Sequence, residues 1–204
     1  MNTILLSRNL GIIKKYLVSG SKIGFIPTAG EIYENPWFVI EDRQRLVNMN
    51  YDITDIDITN FDATAINNSL KKIDALFVSG GNVFYLMQQI KKKNLEDEFI
   101  NFINSDKLYI GASAGSCICC PALEPYTTFD NPEDAKELVD LDGLQIIDFV
   151  ILPHYGKEKY LHLYGEVIDK YKDKYKLVTL RDNEAIVLKS NTEYDILLSD
   201  DILL

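Results

Sequence analysis

Lys107-Leu-Tyr-Ile-Gly-Ala-Ser-Ala-Gly-Ser116 is the stretch from which the rest of the chain can be read. Leu108 to Ile110 is apolar and reads as a short buried strand. It runs into Gly111-Ala112-Ser113-Ala114-Gly115, which fits G-x-S-x-G. Small residues continue into what the pattern predicts to be a helix. A strand, a tight turn of small residues and a helix are the context of a nucleophile elbow. Such a turn lifts the hydroxyl of Ser113 to the top of a sheet. The helix after it aims free N–H groups and its positive end at the same spot. An oxyanion forming there would meet donors already in place. G-x-S-x-G is a short motif, and an ordinary Gly-rich turn can carry it, so the flanking chain must decide.

On the N-terminal side the pattern is strand, helix, strand, helix. Thr3 to Leu6 and Lys22 to Ile26 read as strands, with Leu10, Ile13 and Leu17 at helical spacing between them. Trp37 to Met49 reads as a helix, Tyr51 to Ile58 as a half-buried strand, and Ala63 to Lys72 as a helix. Ala75 to Val78 is a wholly apolar strand that meets Ser79-Gly80-Gly81-Asn82. A helix follows with Val83, Leu86, Met87 and Ile90 on one face. Leu95, Phe99, Phe102 and Ile103 mark another. The alternation predicts an α/β fold: a three-layer sandwich whose mainly parallel sheet is covered on both faces. Ligands bind at the carboxyl ends of such strands. Gly80-Gly81 and Ser113 both lie at predicted carboxyl ends, so they can converge.

On the C-terminal side, Pro121 to Asp142 is acidic and turn-rich. Phe149 to Leu152 is again a strand and leads straight into Pro153-His154-Tyr155-Gly156. A long helix is expected next, with Tyr160, Tyr164, Val167, Tyr171 and Tyr175 near helical spacing. Leu177 to Leu180 reads as a strand before Arg181-Asp182-Asn183-Glu184. Ala185 to Leu188 and Tyr194 to Leu198 read as closing strands. Nothing in the chain resembles an internal repeat or a linker, so residues 1–204 are expected to form one domain.

The 204 residues, 47% of them hydrophobic, suffice for a sizeable core. No run approaches the roughly 18 to 20 apolar residues of a membrane span, and the N-terminus lacks the features of a signal peptide. A cytoplasmic protein is expected. The net charge of −10 argues against a nucleic-acid partner, since a phosphate backbone needs a basic patch. Cys117, Cys119 and Cys120 crowd into four residues. They read as small apolar residues packing the helix after the elbow rather than as metal ligands. No metal or cofactor is expected. Lys91-Lys92-Lys93 reads as a solvated helix end.

A serine hydrolase needs a base, and the chain has two histidines, His154 and His162. His162 lies on the polar side of the long helix. His154 follows a buried strand, on the same sheet edge as Ser113, and is the expected base. A carboxylate must hold its imidazole. Asp182 is favoured by its strand-end position. Glu184, two residues on, and Asp130, in the acidic stretch, stay as alternatives.

With these pieces in place the chain resembles the peptidase E (aspartyl dipeptidase) and cyanophycinase family of serine hydrolases. Val78-Ser-Gly-Gly-Asn82, Gly111-Ala-Ser-Ala-Gly-Ser116 and Pro153-His154-Tyr155 carry the resemblance, in that order and at the family's spacing. It implies a sandwich related to class I glutamine amidotransferases. It implies Ser113 as nucleophile, His154 as base, and Gly81 and Ala114 as the oxyanion-hole N–H groups. The family's acid would fall at Asp182, and Asp130 is the nearest match to an aspartate that matters in some members. Aspartyl dipeptidases carry an arginine beyond the histidine to grip an acidic N-terminal residue. This chain has Lys157 and Lys159 there instead, point charges rather than a fork. The resemblance therefore implies a peptidase of short peptides, with N-terminal Asp preferred only weakly. The same machinery acting on another acyl substrate, or a binding module on the same fold, would leave much the same motifs. Fifty residues follow His154, more than an α/β-hydrolase esterase usually has.

Overall fold

A computed structural model describes residues 2–201. Nine strands and six α-helices are formed among them. The strands are β1 (Thr3–Leu6), β2 (Lys22–Ile26), β3 (Asp52–Asp55), β4 (Ala75–Val78), β5 (Leu108–Ala112), β6 (Phe149–Leu152), β7 (Lys176–Thr179), β8 (Glu184–Leu188) and β9 (Tyr194–Leu198). The helices are α1 (Trp37–Asn48), α2 (Ala63–Lys72), α3 (Val83–Lys92), α4 (Glu96–Ile103), α5 (Ala114–Cys117) and α6 (Leu161–Tyr171). Seven strands form one sheet in the order β3-β2-β4-β5-β1-β8-β9, with β6 and β7 paired separately. The five from β3 to β1 run parallel, and β8 and β9 close the sheet antiparallel.

Side-chain alternation builds the layers. In β4, Ala75 and Phe77 face one core while Leu76 and Val78 face the other. In β5, Leu108 and Ile110 face the first and Tyr109 the second. Both faces are apolar, as a parallel sheet under two helical layers requires. α1 brings Val39 and Leu46 onto the first face. The second core takes α2 to α6 and the β6–β7 pair. The expected α/β sandwich with a mainly parallel sheet is the fold observed.

Four local expectations change. The Leu10–Leu17 segment forms a short 3-10 turn, Gly11–Lys15. The Tyr51–Ile58 strand shrinks to Asp52–Asp55 at the sheet's edge. α6 starts at Leu161 and ends at Tyr171, so Tyr160 and Tyr175 flank it. The helix after Ser113 is a single turn, Ala114–Cys117, which tightens into bonds from the Cys119 N–H to the Ser116 carbonyl and from the Cys120 N–H to the Cys117 carbonyl. The three cysteines that follow the elbow are buried and unbridged. Burial pushes the Cys120 thiol up to about 11, and Cys120 Sγ lies 3.2 Å from the Tyr126 hydroxyl. Lys91 to Lys93 close α3 as expected, with Lys92 exposed, and they also make contacts. Lys91 pairs with Asp140, Lys92 lies 2.9 Å from Glu137, and Lys93 donates to the Phe61 carbonyl at 3.0 Å. Two of the three lysines thus hold the acidic segment against α3. No described helix is long and apolar enough to cross a membrane.

Candidate active site

β1, β4, β5 and β6 end on the same side of the molecule, and the candidate residues leave from those ends. Ser113 follows β5 with φ 48° and ψ −108°, a conformation that costs a non-glycine residue about 1–3 kcal/mol. Several bonds hold it there. The Ser113 N–H donates to the Leu6 carbonyl at 2.9 Å. The Ser116 hydroxyl lies 2.8 Å from both the Leu6 and the Gly111 carbonyl oxygens, which share its one proton. The Tyr109 hydroxyl donates to the Gly115 carbonyl at 2.7 Å.

The two outer glycines of the motif are required by space. A Cβ on Gly111 would lie 2.4 Å from the Gly115 oxygen, and one on Gly115 would lie 2.2 Å from the Val78 oxygen. The β4 loop closes in from the side. Gly81 sits at φ +141°, and a Cβ there would lie 2.0 Å from the Ala29 oxygen. Neither the Gly81 nor the Ala114 N–H donates to a carbonyl or side chain among the described residues. Gly80, Gly81, Ser113, Ala114 and His154 line one cleft of about 380 Å³.

His154 also stands in left-handed backbone, at φ 61°. Its N–H donates to the Ser7 hydroxyl at 2.7 Å. Its Nε2 lies 2.9 Å from Ser113 Oγ, and its Nδ1 lies 2.7 Å from Asp182 Oδ1. An ionised carboxylate can only accept, so the Nδ1 position carries the proton and Nε2 is left to accept from the serine hydroxyl. The Ser7 hydroxyl donates to Asp182 Oδ1 at 3.3 Å, and Lys157 Nζ reaches Asp182 Oδ2 at 2.7 Å. Burial alone would raise the Asp182 carboxyl. The bonds from His154 and Lys157 outweigh it and hold the group well below the usual carboxylate range.

The structure therefore brings Ser113, His154 and Asp182 into one hydrogen-bonded chain. Glu184 is not part of it. Its carboxylate turns back to accept from the Arg181 N–H at 2.8 Å. Asp130 is in the cleft but on the α3 side, where its Oδ2 accepts from the Val83 N–H at 2.9 Å. Burial pushes its carboxyl up to about 6, against the Val83 bond and with help from Asp134. His162 is exposed on α6. Lys157, read from the sequence as a substrate cation, is held in an ion pair with Asp182 instead. Lys159 lies at the cleft, exposed, with its ammonium 4.3 Å above the Tyr160 ring.

Sequence reading missed Ser7, which binds both His154 and Asp182. The same strand-end argument would have found it, since Ser7 directly follows β1. It also missed the aromatic wall formed by Tyr33, Trp37, Phe129, Tyr160 and Tyr164. Burial next to Asp130 pushes the Tyr33 hydroxyl up to about 12. Among the described residues, no group of three or more His, Cys, Asp or Glu side chains is placed to hold a metal ion.

Known proteins resemble this chain over most of its length. The model of peptidase family S51 matches residues 7–195. An uncharacterized peptidase of Listeria monocytogenes is 30% identical over 172 residues, which is 84% of each chain. Peptidase E of a Nostoc species is 31% identical over 144 residues, covering 70% of this chain and 56% of its own. A crystal structure of a peptidase E candidate from Listeria monocytogenes superposes with a TM-score of 0.90 at 26% identity, over 98% of both chains. The match spans the elbow, the β4 glycine loop and the His154 strand alike, and the chain belongs to peptidase family S51, a family of hydrolytic peptidases.

Proposed function

We propose that this chain is a serine exopeptidase of short peptides, with Ser113 as nucleophile, His154 as general base and Asp182 as the acid that orients it. The observation that carries the reading is the unbroken chain Asp182–His154–Ser113, at 2.7 and 2.9 Å, ending on a strained elbow serine. In the first half-reaction Ser113 Oγ attacks the peptide carbonyl while its proton passes to His154 Nε2. The imidazolium is stabilised by Asp182. The oxyanion is received by the Gly81 and Ala114 N–H groups, which are worth most where water is excluded. Collapse of the tetrahedral intermediate breaks the C–N bond. His154 returns the proton to the leaving amine, and an acyl-enzyme on Ser113 remains. Water then attacks the ester, with His154 again as base, and releases the acid product.

Asp130 supports the reading from the substrate side. It is a carboxylate in the cleft with one oxygen already on Val83, and it is not the partner of His154. Its proposed part is to receive the N-terminal ammonium of the peptide. A cleft of about 380 Å³ is near the small end of ligand sites, which suits two or three residues. Lys157 is assigned to Asp182, so Lys157 and Lys159 do not act together as a grip on an acidic N-terminal residue. N-terminal Asp is accepted among other residues rather than required. The three buried thiols suit a reducing compartment, and the cytoplasm is the proposed location.

The test is hydrolysis of a dipeptide panel by wild type and Ser113→Ala. Wild type is expected to cleave at least one free dipeptide and to leave N-acetylated versions uncut. Ser113→Ala is expected to lose activity by about four to six orders of magnitude. Full activity in that variant would remove the reading.

A further inference from the structure

Ser113 stands at the end of β5, in the middle of the sheet, between the helical layer of α1 and that of α3. The two sides of the cleft differ in charge. On the α3 side is Asp130. On the α1 side is Arg8, the residue after Ser7, with its side chain 22% exposed. Its guanidinium carbon lies 5.2 Å from the centre of the Trp37 ring, and its Nη2 lies 3.0 Å from Glu41 Oε2. Both Arg8 and Trp37 line the cleft.

We propose that Arg8 binds a carboxylate of the peptide substrate, across Ser113 from Asp130. This rests on the short-peptide reading above. The cleft has two other cationic side chains, and neither offers the same fit. Lys157 is bound to Asp182 at 2.7 Å, and Lys159 is an exposed ammonium on Tyr160. Arg8 is held still by a stack on one face and an ion pair at one nitrogen. A guanidinium has five N–H donors in a fixed plane, so the Glu41 contact leaves others for a forked carboxylate contact.

The groups facing Arg8 are Glu41, Asp42 and Arg45. Arg45 draws both carboxylates to itself, Glu41 at 3.4 Å and Asp42 at 3.3 Å. Burial also pushes the Asp42 carboxyl up, which lessens the negative charge opposing a bound anion. A short peptide can supply the carboxylate from its C-terminus or from an acidic side chain. The chemistry at Arg8 is the same for both.

Four peptides separate the sources: Asp-Leu, Asp-Leu-amide, Ala-Leu and Ala-Leu-amide. Each is assayed with wild type, Arg8→Gln, Arg8→Lys and Arg43→Gln. Arg43 is a surface arginine on α1 paired with Asp55, and its loss is expected to change nothing. Wild type is expected to favour the peptide with the contacted carboxylate over its twin without it. In Arg8→Gln that preference collapses towards unity, by roughly ten- to hundredfold in kcat/KM, mainly through KM. Arg8→Lys restores part of it. A collapse of the free-acid over amide ratio assigns the C-terminal carboxylate. A collapse of the Asp over Ala ratio assigns the side chain.

The rate of Ser113 labelling by a fluorophosphonate reports whether each variant keeps its fold and its reactive serine. Arg8→Lys carries the same ratios if Arg8→Gln does not fold. An active wild type with no preference, or a preference that survives Arg8→Gln, overturns the assignment of Arg8 alone. A wild type that cleaves none of the four overturns the short-peptide reading and this proposal together.

Discussion

At the scale of single residues, the two histidines have different surroundings. His154 is bonded on both ring nitrogens, while His162 is solvated on α6. Peptide hydrolysis by His154→Ala is expected to fall by about four to six orders of magnitude, and by His162→Ala to stay near wild type. Steady-state kinetics on one good dipeptide checks both. Asp182→Asn keeps the shape but makes the Nδ1 partner a poor acceptor, and kcat is expected to drop roughly 10⁴-fold. Asp130 gives a prediction with a sign. Its folded-state carboxyl titrates near 6, raised from 3.8 by burial. The folded state therefore holds the proton more tightly than the unfolded chain. That stability is fully present below about pH 4 and is lost as pH rises through 6. Asp130→Asn should then raise Tm by a few degrees at pH 7 and leave it little changed at pH 4, while cutting kcat/KM roughly tenfold or more. Thermal melts at the two pH values decide it. An unchanged kcat/KM would remove Asp130 from substrate binding.

At the scale of elements, the elbow and its neighbours are a packing problem. Gly111→Ala and Gly115→Ala each drive a Cβ into backbone oxygen at 2.4 and 2.2 Å. The backbone cannot yield as a side chain would, and each change should cost about 3 kcal/mol or more. Chemical denaturation measures this, and a wild-type midpoint would contradict it. Asn82 does two things at the start of α3. Its side-chain oxygen accepts from the Phe84 and Tyr85 N–H groups, and its nitrogen donates to Asn131 and Asp134. These elements were legible from sequence to different degrees. β4 and β5 are continuous apolar runs that end in glycine, and the packing that fixes them is local. Ser7 was within reach of the strand-end argument, but Arg8 and Trp37 were not legible as cleft residues, because only the assembled sheet brings the end of β1 beside β5 and α1 over it. Lys157 was read as a free cation for the same reason. Nothing in its spacing shows that the β7–β8 connection returns beneath it and presents Asp182.

At the scale of the molecule, the parallel sheet gathers chain ends that are far apart in sequence. Ser7, Gly81, Ser113, His154 and Asp182 leave five different strand ends or the loops just beyond them. Ser7, Ser113, His154 and Asp182 are each held by hydrogen bonds to a neighbour, so their arrangement exists before any substrate arrives. The alternation of apolar strands and amphipathic helices was enough to place the reactive edge. The opposite charges across that edge came only with the layers, Arg8 on the α1 side and Asp130 on the α3 side. The proposed reaction stands on Ser113 as a nucleophile activated by His154. Intact-protein mass spectrometry after treatment with a fluorophosphonate tests it directly, with peptide mapping of the adduct. The expected result is one adduct on Ser113, none on Ser113→Ala, and labelling of His154→Ala slowed at least about a hundredfold. An adduct on another residue, or undiminished labelling of Ser113→Ala, would contradict it.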